Sequence, residues 1–144
     1  MAHGILGKRR VEKEKREAER EDKYMVDIKL PHDHGQNVDR ILSKMPDIDE
    51  CVQVAEIFKQ ISDGTRLRIL WLLCHCEECV SNIAAAMNMS DPAVSHHLKL
   101  LRKSGLIVSR RDGKEVYYKL ADTEQAQIVH QVCEKMFRIS CPLG

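Results

Sequence analysis

The spacing of apolar and polar positions predicts four successive helices between residues 47 and 104. In each of these segments apolar residues recur every three or four positions, the period of a helix with one buried face. Asp63 is expected to cap the second helix, and Ser90 or Asp91 the fourth, because short polar side chains accept bonds from the unpaired N–H groups at a helix start. The expected helices run from 47 or 49 to about 61, from 63 to about 74, from 80 to 87 and from 90 or 91 to 104.

After Gly105 the period changes from about 3.6 to 2, which indicates strands. A strand over 106–111 is expected to turn at Asp112–Gly113, a strong hairpin signal, and to return over 116–120. A last helix, capped by Asp122 or Thr123, should extend to about residue 139. Its apolar stripe comprises Ile128, Val132 and Met136. The order ααααββα predicts a mainly α domain with a two-stranded β-hairpin, the winged helix-turn-helix.

Composition agrees with one small helical domain preceded by an extension. Of the 144 residues 43% are hydrophobic but only 4% aromatic, so aliphatic side chains must build the core. We divide the chain into a charged tail, disordered or helical (1–24), a linker with a short helix (25–46) and the winged helix-turn-helix domain (47–144). No apolar run approaches the roughly 20 residues of a membrane span, and the charged N-terminus lacks a signal-peptide stretch. We therefore expect a cytoplasmic protein.

Charge is concentrated where the fold would meet DNA. The net charge is only +1, but residues 90–119 hold seven basic residues against three acidic ones, a local charge of +4. Such a stripe is typical of phosphate contact. We predict that the polar face of the fourth helix reads double-stranded DNA and that the hairpin contacts the backbone or minor groove. The predicted DNA-binding residues are Pro92, Ser95, His96, Lys99, Arg102, Lys103, Arg110, Arg111 and Lys114.

Three segments resemble one known family, the ArsR/SmtB metal-sensing repressors. They are SDGTRLRIL (62–70), AVSHHLKLLRKSGLI (93–107) and GKEVYYKL (113–120), and the likeness extends over roughly residues 50–140. The resemblance implies a homodimer built from the first and last helices of the domain, residues 49–61 and 122–139. It also implies binding to an inverted-repeat operator and an effector that releases the protein from DNA.

The cysteines suggest what that effector is. Cys74, Cys76 and Cys79 form a C-x-C-x2-C cluster, and three thiolates within six residues suit a soft ion: Zn(II), Cd(II), Pb(II) or As(III). The family's inducer motif resembles ELCVCDL. Cys79 matches its first cysteine, but Ser81 stands where the second would be. We take Cys141 as the fourth ligand, with Cys133, His32 or His34 as alternatives.

Other interpretations of the cysteines stay open. A second family site on the last helix is judged absent, because Lys135 and Arg138 stand where ligands are needed. His130 and Cys133 would share a face of that helix, where packing at the dimer interface is the simpler interpretation. Cys51 is expected in the core. The alternatives to metal sensing are a thiol-based redox or sulfur-responsive repressor and a repressor without an inducer.

An enzyme is not expected. The chain has no glycine-rich phosphate loop, no nucleophile elbow and no HExxH motif. His75 beside the cysteines does not make a protease, because the partners of a catalytic cysteine normally come from separate segments.

Overall fold

The computed structural model describes residues 10–16, 18–19 and 28–138, and the chain divides into two compact units, 1–50 and 51–144. In the first unit residues 10–16 and 18–19 are helical, with i,i+4 ion pairs such as Arg10–Glu14 at 3.0 Å. The remaining tail positions lie outside the described residues. A short helix, α1, spans Val38–Leu42.

Helices α2 (Ile48–Ile61) and α3 (Gly64–Leu73) begin at the aspartates that the sequence indicates. Asp47 and Glu50 form a capping box, in which each backbone N–H donates to the other's carboxylate, at 2.9 and 3.1 Å. Asp63 accepts from the backbone N–H of Arg66 at 2.9 Å. That bond holds the pKa of Asp63 below its usual value, because it stabilises the carboxylate.

Helices α4 (Val80–Met87) and α5 (Asp91–Lys103) form the helix-turn-helix. Asn88 ends α4 in the left-handed conformation, with φ 54°, which asparagine adopts more readily than most residues. Ser90 then caps α5 by accepting from the backbone N–H of Ala93 at 3.3 Å. Pro92 lies in the first turn, where no N–H is needed. Both helices match their predicted bounds within one residue.

The wing is a hairpin of β2 (Ile107–Asp112) and β3 (Glu115–Leu120), as predicted. Gly113 makes its turn with φ +62°. The sequence did not indicate β1 (Glu78–Cys79), which pairs antiparallel with Tyr118 and Tyr117 and completes a sheet of order β1-β3-β2. Two residues are too short for an alternating pattern. The predicted two-stranded wing is therefore confirmed, and β1 adds a third strand to its sheet.

The core lies among α3, α4, α5 and the sheet. Its largest fully buried side chains are Ile69, Leu70, Leu73, Ile83, Val94, Leu98, Leu101, Leu106 and Ile107. Helix α6 (Glu124–Phe137), capped by Thr123, adds Ala126, Val129 and Cys133. The predicted apolar stripe of Ile128, Val132 and Met136 is exposed in the single chain.

Cys51 is exposed rather than in the core, because the face of α2 that carries it is uncovered in the single chain. The assignment of Cys51 to the core was wrong. Among the described residues, no helix has the length and apolar character needed to cross a lipid bilayer.

Candidate nucleic-acid interface and effector segment

Helix α5 presents two distinct faces. Val94, Leu98 and Leu101 are completely buried. The opposite face is exposed and carries every predicted residue of this helix: Pro92, Ser95, His96, Lys99, Arg102 and Lys103. An α-helix fits the major groove of B-form DNA, and the buried face of α5 packs this helix against the core of the domain.

The one acidic residue of α5 is held at the helix start. Asp91 accepts a hydrogen bond at 2.9 Å from the hydroxyl of Ser81, at the start of α4. This bond ties the two helices together at their N-terminal ends. It also places the acidic group away from the basic C-terminal turn, so the rest of the exposed face has no carboxylate to repel phosphate.

The three wing residues that were predicted to bind DNA differ in their surroundings. Arg111 and Lys114 lie exposed at the hairpin tip, and Arg111 Nε donates to the carbonyl of Gly113 at 3.3 Å. The guanidinium of Arg110 instead donates through Nε and Nη2 to Glu77, with the Nε bond at 2.8 Å. It also lies 4.7 Å from the centroid of the Tyr117 ring and pairs with Asp112 at 3.5 Å.

The Glu77–Arg110 pair has an electrostatic signature. The hydrogen bond from Arg110 lowers the pKa of Glu77, and the same bond raises the pKa of Arg110, so both groups are charged. Arg110 is therefore bonded inside the chain, and its predicted contact with DNA would have to compete with Glu77.

The cysteine segment (74–79) lies between α3 and α4. Cys74 is half-buried, Cys76 is exposed, and Cys79 is buried within β1. The Cys76 thiol donates to the carbonyl of Leu72 at 3.4 Å, and burial raises its pKa, helped by the nearby carboxylate of Glu78.

The three thiols of the cysteine segment are not gathered at one point. Among the described residues, only one set of three His, Cys, Asp or Glu side chains has its potential ligand atoms within 4.8 Å of one another. That set does not include the cysteines. Cys141 lies outside the described residues. The five described cysteines form no disulfide.

The set of three is His75, His130 and Glu134, which sequence reasoning did not bring together. His130 and Glu134 are four residues apart on α6, so the spacing placed them on one face. Nothing in the sequence indicated that His75 would turn away from the cysteines to meet them. His32 and His34, the other histidine pair considered, are exposed in the first unit, with ring centroids 6.2 Å apart.

Two helices expose apolar side chains. On α2 these are Ile48, Val52, Val54 and Phe58, and on α6 they are Ile128, Val132, Met136 and Phe137, each more than 40% exposed. Within α2 only Gln60 is buried, so the single chain covers little of this helix. Exposed apolar stripes on two helices of one domain are typical of an interface.

Comparison with known proteins yields one consistent family. The arsR family of bacterial regulatory proteins matches residues 63–109, which hold α3, the helix-turn-helix and the first half of β2. The chain is 37% identical to a transcriptional repressor SmtB homolog of Synechocystis sp., over 72% of this chain and 78% of that protein. It is 35% identical to a cadmium resistance transcriptional regulatory protein CadC homolog of Staphylococcus aureus, over 76% and 88%.

Solved structures agree with the fold. The homodimeric winged helix-turn-helix DNA-binding domain of a possible ArsR-family transcriptional regulator from Mycobacterium bovis is 31% identical. It superposes with a TM-score of 0.57, over 65% of this chain and 88% of that one.

Proposed function

We propose that this chain, which belongs to the arsR family of bacterial regulatory proteins and is a DNA-binding transcriptional repressor, binds its operator as a homodimer and is released by a metal ion. The observation that carries the DNA-binding part is the exposed face of α5. Five polar or basic side chains share it with Pro92 and with no acid beyond Asp91, and two exposed basic residues at the wing tip lie further along the chain.

The roles of the DNA-binding residues follow from their positions. Ser95, His96 and Lys99 lie in the central turns of α5, from which side chains can reach base edges in the major groove. Arg102 and Lys103 lie in the last turn, and Arg111 and Lys114 at the wing tip; these four suit phosphates. Changing Lys99 to Ala should reduce sequence discrimination. Changing Lys114 to Ala should weaken binding to all sequences and flatten its salt dependence.

Dimerisation is supported by the exposed apolar stripes on α2 and α6. A second copy of the chain would cover both stripes. It would also place two α5 helices in successive major grooves, roughly 34–36 Å apart, which an inverted-repeat operator requires.

The relatives named for SmtB and CadC, together with the C-x-C-x2-C segment, support a metal effector. We assign Cys74, Cys76, Cys79 and Cys141 as ligands for a soft ion such as Cd(II), Pb(II), Zn(II) or As(III). Because the thiols are dispersed in this structure, the ion would have to draw the segment together. That movement is the source of the coupling.

The cysteine segment is bonded directly to the DNA-binding elements. Cys79 pairs with Tyr117 of the wing, and Glu77 holds Arg110. The segment also leads into Ser81, which holds Asp91 at the start of α5. Gathering the thiols would therefore displace both the wing and the start of α5. A coupling of about 1–3 kcal/mol, typical of such linkage, costs one to two decades of operator affinity.

The test is fluorescence anisotropy at fixed salt, with an inverted-repeat DNA selected by the protein from a random pool. Adding Cd(II), Pb(II), Zn(II) and As(III) in turn should weaken binding at least tenfold for one or more ions, and Cys79→Ser should remove the response. Cys51→Ser, which lies outside the four assigned ligands, is the matched control and should keep the response, with gel filtration to check that the variant is still a dimer. Unchanged affinity with every ion would refute metal sensing.

The thiol-redox alternative is less well supported. The reactive form of cysteine is the thiolate, yet burial raises the pKa of both Cys76 and Cys133. A raised pKa makes the thiolate less accessible at both residues. Operator release by peroxide or a persulfide, with no response to metals, would reverse this preference.

A further inference from the structure

Three polar atoms converge between the end of α3 and the middle of α6. They are Nε2 of His75, Nε2 of His130 and Oε1 of Glu134, and all lie within 4.8 Å of one another. The carboxylate oxygen is 3.2 Å from His130 Nε2 and 3.8 Å from His75 Nε2. The two imidazole rings meet edge to face, with centroids 5.0 Å apart.

These atoms are buried, and none has a hydrogen-bond partner. Within the described part of the chain, four buried side-chain oxygen or nitrogen atoms lack one, and three of the four meet here. The side chains of His75, His130 and Glu134 are 6%, 17% and 28% exposed. Leaving such atoms unpaired costs on the order of 1–3 kcal/mol each, so their convergence at one point calls for an occupant.

The other nitrogen of His75 decides what kind of occupant fits. His75 Nδ1 lies 2.7 Å from the carbonyl oxygen of Trp71, and because a carbonyl only accepts, Nδ1 carries the hydrogen. In the neutral ring Nε2 then holds a lone pair, and it faces a carboxylate oxygen that is also an acceptor. Histidines that bind metals commonly have this arrangement, with the remote N–H donating to a backbone carbonyl.

We propose that His75, His130 and Glu134 bind a divalent metal ion within each protomer, at a site separate from the cysteine segment. Two imidazoles and a carboxylate suit Zn²⁺, a borderline ion, better than the soft ions that thiolates select. Bonds of 2.0–2.1 Å in a tetrahedron set ligand atoms about 3.4 Å apart. The observed separations of 3.2 and 3.8 Å need only small side-chain adjustments, and the fourth position is left for water.

This ion would fix α6 to the end of α3. Val132, one of the exposed apolar side chains of α6, lies between His130 and Glu134 in the sequence. Zinc would therefore hold the exposed stripe of α6 in one orientation relative to the core. His75 also lies between Cys74 and Cys76, so the bound ion would anchor the segment that gathers around the soft effector. The site itself does not depend on the cysteines binding any metal.

The test separates the two sites by removing the thiols first. In a full-length Cys74→Ser/Cys76→Ser/Cys79→Ser chain, we expect one Zn²⁺ per protomer by elemental analysis after gel filtration. Co²⁺ should give visible ligand-field bands without the near-ultraviolet thiolate charge-transfer band. Adding Glu134→Gln or His130→Asn should weaken Zn²⁺ binding at least tenfold, because even loss of a group that only supports a ligand costs 10–100-fold.

Glu124→Gln, an exposed carboxylate on the same helix, is the matched control and should keep the ion. Circular dichroism of each metal-free variant checks that it folds. Absence of Zn²⁺ and Co²⁺ binding in the folded triple variant would overturn the proposal, and so would unchanged affinity in both ligand variants. In either case direct contacts of the two histidines with Glu134 would account for the cluster. Operator release by soft ions in the wild type is measured separately, so failure of one proposal leaves the other standing.

Discussion

Replacing Glu77 with Gln should increase the affinity for operator DNA, through an added contact from the wing. In the free protein the Glu77 carboxylate accepts two hydrogen bonds from Arg110, and the pKa shifts of both groups show that the pair is charged. Arg110 is the wing arginine nearest the body of the domain, and its side chain is still 51% exposed. A neutral amide would hold the guanidinium less tightly, so Arg110 could turn to a phosphate.

The magnitude follows from counterion release. Each phosphate neutralised on B-form DNA changes the slope of log K against log salt by about −0.9, so one extra contact per protomer gives about −1.8 per dimer. At 0.1 M salt this is an upper bound of about 1.8 decades in affinity, or roughly sixtyfold. The residual bonds between Arg110 and the glutamine will reduce the gain.

The assay is anisotropy of labelled operator from 0.05 to 0.4 M salt. Glu115→Gln removes the same charge from an exposed position of the wing and serves as the control, because it frees no arginine. It should raise affinity slightly and leave the slope unchanged. A wild-type slope in Glu77→Gln, together with a flatter slope in Arg110→Ala, would refute the reasoning. Arg110 would then already contact DNA in the wild-type complex.

Three further predictions concern the scaffold. Leu98 is completely buried on the inner face of α5, and Leu98→Ala should lower the free energy of unfolding by about 2–5 kcal/mol, measured by urea titration. Val108→Ala, at a position that is 42% exposed, should lower it far less. Val132→Glu should shift the sedimentation equilibrium towards monomer, and Gln131→Glu should not; an unshifted equilibrium in Val132→Glu would remove α6 from the interface.

Because the pKa of Asp63 is lowered on folding, its stabilising effect is complete above its ordinary value of 3.8 and is lost as the pH falls through the folded pKa. The stability difference between wild type and Asp63→Asn should therefore be constant near neutral pH and shrink only below about pH 4. A difference that disappears between pH 7 and pH 5 would point to another group.

Local sequence patterns predicted α5 and the wing because the bounds of both are set by residues close together in the sequence. Ser90, Pro92 and Gly105 mark the ends of α5, and Asp112–Gly113 marks the turn, without any help from distant parts of the chain. The exposed face of α5 followed from helical periodicity alone. Its six predicted residues all lie on the exposed side.

The features that were missed depend on long-range contacts. Glu77 and Arg110 are 33 residues apart, and β1 is recognisable only through its pairing with Tyr117 and Tyr118. The position of His75 beside α6 likewise depends on how the loop leaves α3. The stripe on α6 was found, but periodicity does not distinguish a face buried in the core from one covered by a second copy.

The free energy that holds the short strand β1 on the sheet can be compared with the free energy needed to control DNA binding. It is held on β3 through two residue pairs, Glu78 with Tyr118 and Cys79 with Tyr117. A backbone hydrogen bond contributes about 0.5–1.5 kcal/mol net, so releasing one or two of them costs about 0.5–3 kcal/mol. This range includes the roughly 1–3 kcal/mol typical of allosteric coupling.

An ion that draws Cys79 towards Cys76 competes directly with this pairing. The strand is therefore weak enough for one metal ion to displace. It also pairs with the wing and leads into the helix that is bonded to the start of α5, so its displacement would change how both elements meet the operator.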